Sequence, residues 1–104
     1  MTELETEKYF WENLDLPPPL YGSDIKGSLF DDGEAAEWNF NHLDSCLRDG
    51  LGDVKMEGIN TPYLYFGSPR SIFAWHCEDY NMGSINFQHY GRPKYWYGIS
   101  RKVN

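Results

Sequence analysis

A histidine and a glutamate separated by one residue are the first candidates for chemistry in this sequence. They occur as His76-Cys77-Glu78. On a β-strand, residues two apart point to the same face, so the imidazole and the carboxylate would lie side by side and Cys77 would point away. A carboxylate beside an imidazole suits iron(II), and the pair would supply two ligands of a two-histidine, one-carboxylate site for oxygen chemistry. The alternative for so short a motif is the polar face of an exposed strand.

The stretch that carries this pair, residues 59–97, is rich in aromatic and β-branched residues. Groups of turn-forming residues interrupt it at 67–69, 81–83 and 91–93. This pattern predicts strands joined by short turns. Strand conformation would give the histidine and the glutamate the geometry that metal binding needs.

The first half of the chain has helical patterns. Residues 4–14 predict a short helix, which the prolines at 17–19 end. Residues 34–49 carry large apolar side chains at mostly three- and four-residue intervals, with glycines just beyond, and predict an amphipathic helix. Together the patterns predict one α+β domain, in which helices of the first half pack against a sheet made by the second.

Composition limits the classes of protein to which the chain can belong. It has 104 residues, 40% of them hydrophobic, which predicts one folded domain. Its net charge of −7 argues against direct nucleic-acid binding and is compatible with a cationic partner. There is no apolar run of membrane-spanning length and the N-terminus is acidic, so we expect a soluble intracellular protein without a membrane segment. We expect Cys46 and Cys77 to be free thiols.

Several segments, in order and at compatible spacings, resemble the JmjC (Jumonji C) family of iron- and 2-oxoglutarate-dependent oxygenases. Within that family they are most similar to the histone lysine demethylases of the Jumonji-domain-2 subfamily. The matching segments are residues 21–29, 37–39, 57–67, 73–79, 84–87 and 91–97. Two stretches depart from the family pattern, Ser68-Pro69-Arg70 and residues 80–83. The resemblance extends from about residue 9 onward.

The resemblance implies part of a cupin-like double-stranded β-helix, an incomplete barrel in a single partial JmjC domain. Residues 1–52 would be a helical and loop lead-in, and residues 53–104 the first strands. We expect the chain to lack the family's JmjN segment, distal iron-binding histidine, later strands and structural zinc ligands. His89 is not expected to replace that histidine, because its offset from Asn86 turns it to the other strand face.

Cofactor roles also follow from the resemblance. His76 and Glu78 would bind Fe(II). Lys94, Tyr21 and Asn86 would bind 2-oxoglutarate, whose far carboxylate needs a fixed cation and hydroxyl or amide donors. Without the resemblance, we would interpret Lys94 as a solvated lysine after a turn, Tyr21 as a buried phenol and Asn86 as a strand amide. A structural zinc would be expected only in a full-length domain.

The substrate implied by the resemblance is a methyl-lysine of the histone H3 tail. Aromatic faces and weakly polar contacts to oxygen hold a methylated ammonium. Tyr65 would contact the methyl groups, and Gly58 would let a backbone carbonyl approach them. Glu57, Asp24 and Asp79 would contact the peptide along its channel.

Three functions remain open at this stage. The first is the N-terminal part of a nuclear histone lysine demethylase, which removes N-methyl groups oxidatively. The second is a catalytically inactive JmjC fragment or interaction module. The third is a JmjC hydroxylase of protein side chains. With two of three iron ligands, the chain alone is expected to be inactive.

Overall fold

Helix α1 (Glu3–Glu12) opens the chain, and its first turn is closed by its own side chains. This computed structural model describes residues 1–31 and 37–102. The Thr2 hydroxyl accepts a hydrogen bond from the Glu5 backbone N–H at 3.2 Å, and the Glu5 carboxylate accepts one from the Thr2 N–H at 2.7 Å. This capping box satisfies donors that a helix N-terminus leaves free. The predicted helix at 4–14 is therefore confirmed, to within two residues.

The sheet is antiparallel and consists of β1 (Tyr21–Lys26) and β2 (Tyr63–Gly67). Tyr21 is opposite Gly67 and Lys26 is opposite Tyr63, with a bulge in β1 between Gly22 and Ile25. The expectation of a sheet made by the second half alone is wrong. The segment that follows the prolines supplies the ladder of hydrogen bonds that β2 requires.

The remainder of the predicted strand region differs from expectation. Among the described residues, β1 and β2 are the only strands, and residues 71–78 and 82–100 have no assigned regular structure. Aromatic and β-branched residues favour extended backbone, but a strand also needs a neighbour with which to exchange hydrogen bonds. Composition indicates the first of these conditions and not the second.

The predicted helix at 34–49 is wrong for most of its described part. The structure has a 3₁₀ turn at Phe40–His42 and a short helix, α2 (Cys46–Leu51), while residues 32–36 lie outside the described residues. Asn39 is 1% exposed, accepts a hydrogen bond from the Asn41 N–H and donates one to the Asp31 carbonyl, at 2.9 and 2.7 Å. Such side-chain bonds offer the backbone an alternative to the helix.

An aromatic cluster joins this loop to the C-terminal part of the chain. The Phe30 ring centroid lies 5.1 Å from those of Phe40 and Phe87 and 4.6 Å from that of His89. Offset and edge-to-face ring pairs of this kind are favourable contacts. The cluster fixes the loop despite its irregular backbone.

Polar and aromatic contacts dominate the interior. Among the described residues no hydrophobic side chain is buried, and Asn39 is the one buried polar residue. The radius of gyration is 16.8 Å, compared with about 13 Å for a compact domain of this length. Helices and a small antiparallel sheet make the chain α+β, whereas the incomplete barrel remains a prediction.

Two smaller expectations concern the cysteines and the membrane. Cys46 and Cys77 are both free and exposed, as predicted. In the part of the chain that the structure describes, no helix combines the length and apolar character needed to cross a bilayer.

Candidate active site

His76 and Glu78 lie side by side. The His76 Nε2 atom is 3.5 Å from a Glu78 carboxylate oxygen. The other ring nitrogen, Nδ1, is 2.7 Å from the Ala74 carbonyl oxygen, which can only accept, so Nδ1 carries the proton and donates it. The lone pair of Nε2 therefore lies on the side of Glu78. This arrangement, with the far nitrogen donating to a carbonyl, is typical of metal-binding histidines.

The separation of the two donor atoms suits a shared metal ion. Two ligands that each lie about 2.1 Å from one ion, at neighbouring positions, are about 3 Å apart. The observed 3.5 Å needs only a small adjustment. Among the described residues, however, no group of three or more His, Cys, Asp or Glu side chains could hold a metal. The chemistry of the pair fits a divalent cation, and the number of donors is smaller than a three-ligand site requires.

A cavity of about 300 Å³ adjoins the pair. It is lined by His76, Cys77, Glu78, Asn81, Met82 and Ser84. Cys77 was predicted to point away from the metal-binding pair but lines the same cavity, because residues 76–78 are not held in a strand ladder that would impose alternation. The sequence reasoning did not assign Asn81, Met82 and Ser84. The sequence feature that could have indicated these cavity-lining residues is their position in and beside the predicted turn at 81–83.

Lys94 lies against aromatic faces. Its Nζ atom is 5.1 Å from the Phe73 ring centroid and 5.7 Å from that of Tyr21. Within the described residues Lys94 forms no ion pair. Cation–π contacts hold the ammonium in place and leave its N–H groups available to an anionic ligand.

Phe73 connects Lys94 to the metal-binding pair. Its ring centroid is 6.1 Å from that of His76 and 5.3 Å from that of Trp96. The Phe73 ring therefore lies between the cation and the imidazole. The lysine and the histidine–glutamate pair thus share one aromatic wall.

Tyr65 and Asp24 form the other end of the same cluster. The Tyr65 hydroxyl donates a hydrogen bond to an Asp24 carboxylate oxygen at 2.6 Å, and its ring centroid lies 6.1 Å from that of Tyr21. The hydrogen bond to Asp24 raises the pKa of the Tyr65 phenol from 10.0 to about 12, with burial and the charge of Asp24 adding to the effect. The negative charge of Glu78 is a smaller contributor to the same rise in pKa. The charges of Asp24 and Glu78 therefore both act on Tyr65.

Six predicted residues are thus brought into one connected cluster, the site cluster. They are Asp24, Tyr65, Tyr21, Lys94, His76 and Glu78, with Phe73 between Lys94 and His76.

The other predicted site residues have different surroundings. Glu57 forms an ion pair with Lys26 at 3.7 Å and accepts a hydrogen bond from Thr61. Gly58 has a φ of +75° and lies directly against the Tyr63 ring.

Asn86 and Asp79 also lie apart from the connections that define the site cluster. Asn86 is exposed and, within the described part of the chain, forms no hydrogen bond with the cluster. Asp79 begins a 3₁₀ turn next to Glu78, and its carbonyl accepts from the Met82 N–H.

Comparison with protein families identifies the class of this site. Residues 63–103, which contain His76, Glu78 and Lys94, match the JmjC domain family, described as a hydroxylase domain. The match with this family over residues 63–103 confirms the resemblance drawn from the sequence.

The individual relatives that the chain resembles are named as lysine-specific demethylases. The chain is 47% identical over 98 residues to lysine-specific demethylase 4B of Mus musculus. The aligned region covers 91% of the chain and 9% of that relative. The chain is 45% identical to lysine-specific demethylase 4D of Rattus norvegicus and 47% identical to probable lysine-specific demethylase 4F of Homo sapiens, of which it covers 19% and 15%. The chain spans less than a fifth of the length of these relatives.

Proposed function

We propose that this chain carries part of the active site of a JmjC histone lysine demethylase, which removes N-methyl groups from lysine in the histone H3 tail with Fe(II) and 2-oxoglutarate. The observation that supports this most strongly is the site cluster. In it, a histidine–carboxylate pair, a lysine that forms no ion pair with the described residues and an acid-bonded tyrosine share one set of aromatic contacts. The demethylase names of the relatives support the same reaction class.

His76 and Glu78 would hold the metal through Nε2 and the carboxylate. When bound, the metal with 2-oxoglutarate supplies the oxidising chemistry: dioxygen gives one atom to an N-methyl carbon and one to the keto acid, which leaves as succinate and carbon dioxide, and the hydroxymethyl amine releases formaldehyde. The Ala74 carbonyl keeps the proton of His76 on Nδ1. In the neutral imidazole, Nε2 is then the nitrogen that can bind a metal.

Lys94 and Tyr21 would bind the far carboxylate of 2-oxoglutarate. The ammonium already lies over the Tyr21 and Phe73 rings, so little side-chain freedom is lost when the anion binds. Asn86 would contribute its amide to the same cosubstrate. Its exposed position leaves that amide accessible to a ligand.

The methyl-lysine would lie beside Tyr65 and Glu78. Two negative carboxylates, Asp24 and Glu78, act on the Tyr65 phenol, and this local charge favours a cation. Gly58, Glu57 and Asp79 would contact the surrounding peptide. A histone substrate implies a nuclear location.

A second candidate is a JmjC-derived module that binds the same ligands without turnover. The observation that favours it is the number of metal donors, because no group of three suitable side chains exists among the described residues. Loss of one of three protein ligands weakens metal binding and disturbs the open coordination positions on which the chemistry depends. A side-chain hydroxylase is consistent with the description of the matched domain.

Binding of a paramagnetic metal tests the part that both candidates share. Mn(II) accepts carboxylate ligands and broadens nearby NMR resonances. We expect it to broaden the His76 and Glu78 resonances of the full chain, and His76→Ala to abolish this broadening. His42→Gln, a histidine change in the 3₁₀ turn, should leave it intact. Broadening that survives in His76→Ala would contradict the assignment.

Formaldehyde release separates the two candidates. The chain is supplied with Fe(II), 2-oxoglutarate, a trimethyl-lysine H3 peptide and free imidazole, which can occupy the position of a missing histidine ligand. Demethylase chemistry predicts formaldehyde that depends on both imidazole and His76. Metal and peptide binding without formaldehyde under all conditions would instead support the binding module.

A further inference from the structure

Asp24 occupies an unusual position in β1. It lies in the bulge between Gly22 and Ile25. These two residues pair with Phe66 and Leu64, so the bulge lies opposite Tyr65. Its φ is +55°, a left-handed conformation that aspartate tolerates better than most residues. Bulges of this kind redirect a side chain. Here the redirected carboxylate reaches across the sheet to the Tyr65 hydroxyl.

The hydrogen bond determines whether the Tyr65 hydroxyl can act toward a ligand as a donor or as an acceptor. An ionised carboxylate only accepts, so the hydroxyl proton points at Asp24, at an oxygen–oxygen distance of 2.6 Å. The phenol oxygen then has lone pairs, and no proton, for any group that approaches from the other side. Tyr65 is 47% exposed, so such an approach is open.

We propose that Asp24 is a positioning residue that holds the Tyr65 hydroxyl as a hydrogen-bond acceptor for the methyl groups of a trimethylammonium ligand. A quaternary ammonium has no N–H, and its charge is carried by C–H groups that interact weakly with oxygen acceptors. A hydroxyl proton directed at such a cation would repel it. The inference rests on the proposed function for its ligand and gives Asp24 a role other than contact with the peptide.

A test without ligand examines the hydrogen bond itself. In the full chain labelled with ¹³Cζ-tyrosine, Asp24→Asn removes the anionic acceptor and should shift the Tyr65 resonance at neutral pH. Tyr65→Phe assigns that resonance by its disappearance. Asp53→Asn makes the same charge change at an exposed acid elsewhere and should not move it. An unchanged Tyr65 resonance in Asp24→Asn would overturn the proposal.

A second test measures the consequence for binding, with acetyl-trimethyl-lysine amide and its uncharged carbon analogue as probes. Loss of one hydrogen-bonded charge contact predicts about a fivefold weaker affinity of Asp24→Asn for the trimethyl-lysine probe. The affinity of Asp24→Asn for the uncharged analogue should change little. A merely structural role of Asp24 would not explain such a difference between the probes. Asp53→Asn should bind both probes as the unmodified chain does.

The outcomes separate this inference from the function on which it rests. Equal loss of both probes in Asp24→Asn, or loss of neither, would contradict the positioning role and leave the proposed function standing. If the unmodified chain bound the trimethyl-lysine probe no better than the uncharged analogue, the proposed substrate would be wrong, and the positioning role with it.

Discussion

Single neighbours determine the chemical state of the residues in the site cluster. The Ala74 carbonyl selects the tautomer of His76, and Asp24 accepts the hydrogen bond of the Tyr65 hydroxyl. Two aromatic faces hold Lys94, which has no ion pair in the part of the chain that the structure describes. Each of these partners is a group that cannot donate a proton in return, so the direction of each interaction is defined. Substitutions at this scale should therefore change ionisation and ligand preference before they change the fold.

The Tyr65–Asp24 pair should make the sheet sensitive to alkaline pH. The pKa of Tyr65 in the folded chain, about 12, is above its ordinary value of 10.0. The pair therefore stabilises the sheet fully below about pH 10, and this contribution is lost as pH rises toward 12. We expect ¹³C-detected Cα shifts of β1 and β2 to move toward random-coil values over that range. Tyr65→Phe, which lacks the pair at every pH, should show a smaller change between pH 10 and 12, and equal changes would contradict the prediction.

Gly58→Ala should displace the Tyr63 ring. A Cβ atom at position 58 would lie 2.3 Å from Tyr63 Cε2, and the φ of +75° is strained for alanine, at a cost of roughly 1–2 kcal/mol. We expect loss of the cross-peaks between residue 58 and the Tyr63 ring in NOE spectra. Gly98→Ala, where no atom lies within 4 Å, is the matched control and should leave the spectra unchanged. Cross-peaks between residue 58 and the Tyr63 ring that survive in Gly58→Ala would refute this explanation.

At the level of elements, a turn that departs from the family pattern ties two parts of the chain together. The Ser68 hydroxyl donates to the Leu20 carbonyl, and the Arg70 guanidinium donates to the carbonyls of Asn13 and Pro17, at 3.5 and 3.1 Å. The turn after β2 thereby fixes the connection between α1 and β1. The departure of residues 68–70 from the family pattern is thus explained by these structural contacts rather than by the ligand site.

Arg70→Ala should loosen the end of α1. Loss of the charge-assisted bonds leaves the Pro17 carbonyl to water and the Asn13 carbonyl with the Leu16 N–H alone. We therefore expect amide exchange in residues 13–16 to become about fivefold faster. Arg70→Lys should restore part of the protection, since an ammonium lacks the planar fork that reaches both carbonyls. Arg101→Ala, at an exposed position, is the control. Exchange that is unchanged in Arg70→Ala would show that the turn does not hold the helix.

The elements also show which features could be predicted from sequence. Helix α1 was predictable because its capping residues and its proline stop lie within a few residues of it. The helix predicted at 34–49 failed because the buried Asn39 bonds to Asp31, eight residues away, and periodicity carries no information about such a partner. Strand predictions after residue 67 failed because a ladder depends on distant neighbours. Sequence motifs name the residues that the structure brings together in the site cluster, and their role remains a prediction. The contact between Asp24 and Tyr65 depends on a bulge that no sequence pattern indicates.

At the scale of the whole molecule, aromatic contacts link segments that the short sheet does not reach. The ring centroids of Trp11 and Tyr97 are 5.1 Å apart, and those of Trp75 and Trp96 are 5.3 Å apart. The Tyr97 hydroxyl donates a hydrogen bond to the Glu7 carboxylate, and this bond raises the pKa of the Tyr97 phenol. These contacts join α1 to residues 95–97 at the other end of the chain. Many of the rings remain substantially exposed, with Trp75 at 70% and Trp11 at 51%. The described residues are therefore connected by pairs of side chains and not by a continuous buried core.

This architecture predicts an unfolding transition of low cooperativity for the full chain. Unfolding enthalpy and heat capacity both scale with buried area, and a compact domain of this length absorbs about 70 kcal/mol at its midpoint. Since the described residues bury no hydrophobic side chain, we expect a broad calorimetric transition with less than about half of that enthalpy. The exposed rings should also bind a hydrophobic dye such as ANS before any heating. A sharp transition with the full enthalpy and no dye binding would mean that, in solution, these aromatic side chains are covered, by a second copy or by residues outside the described ranges.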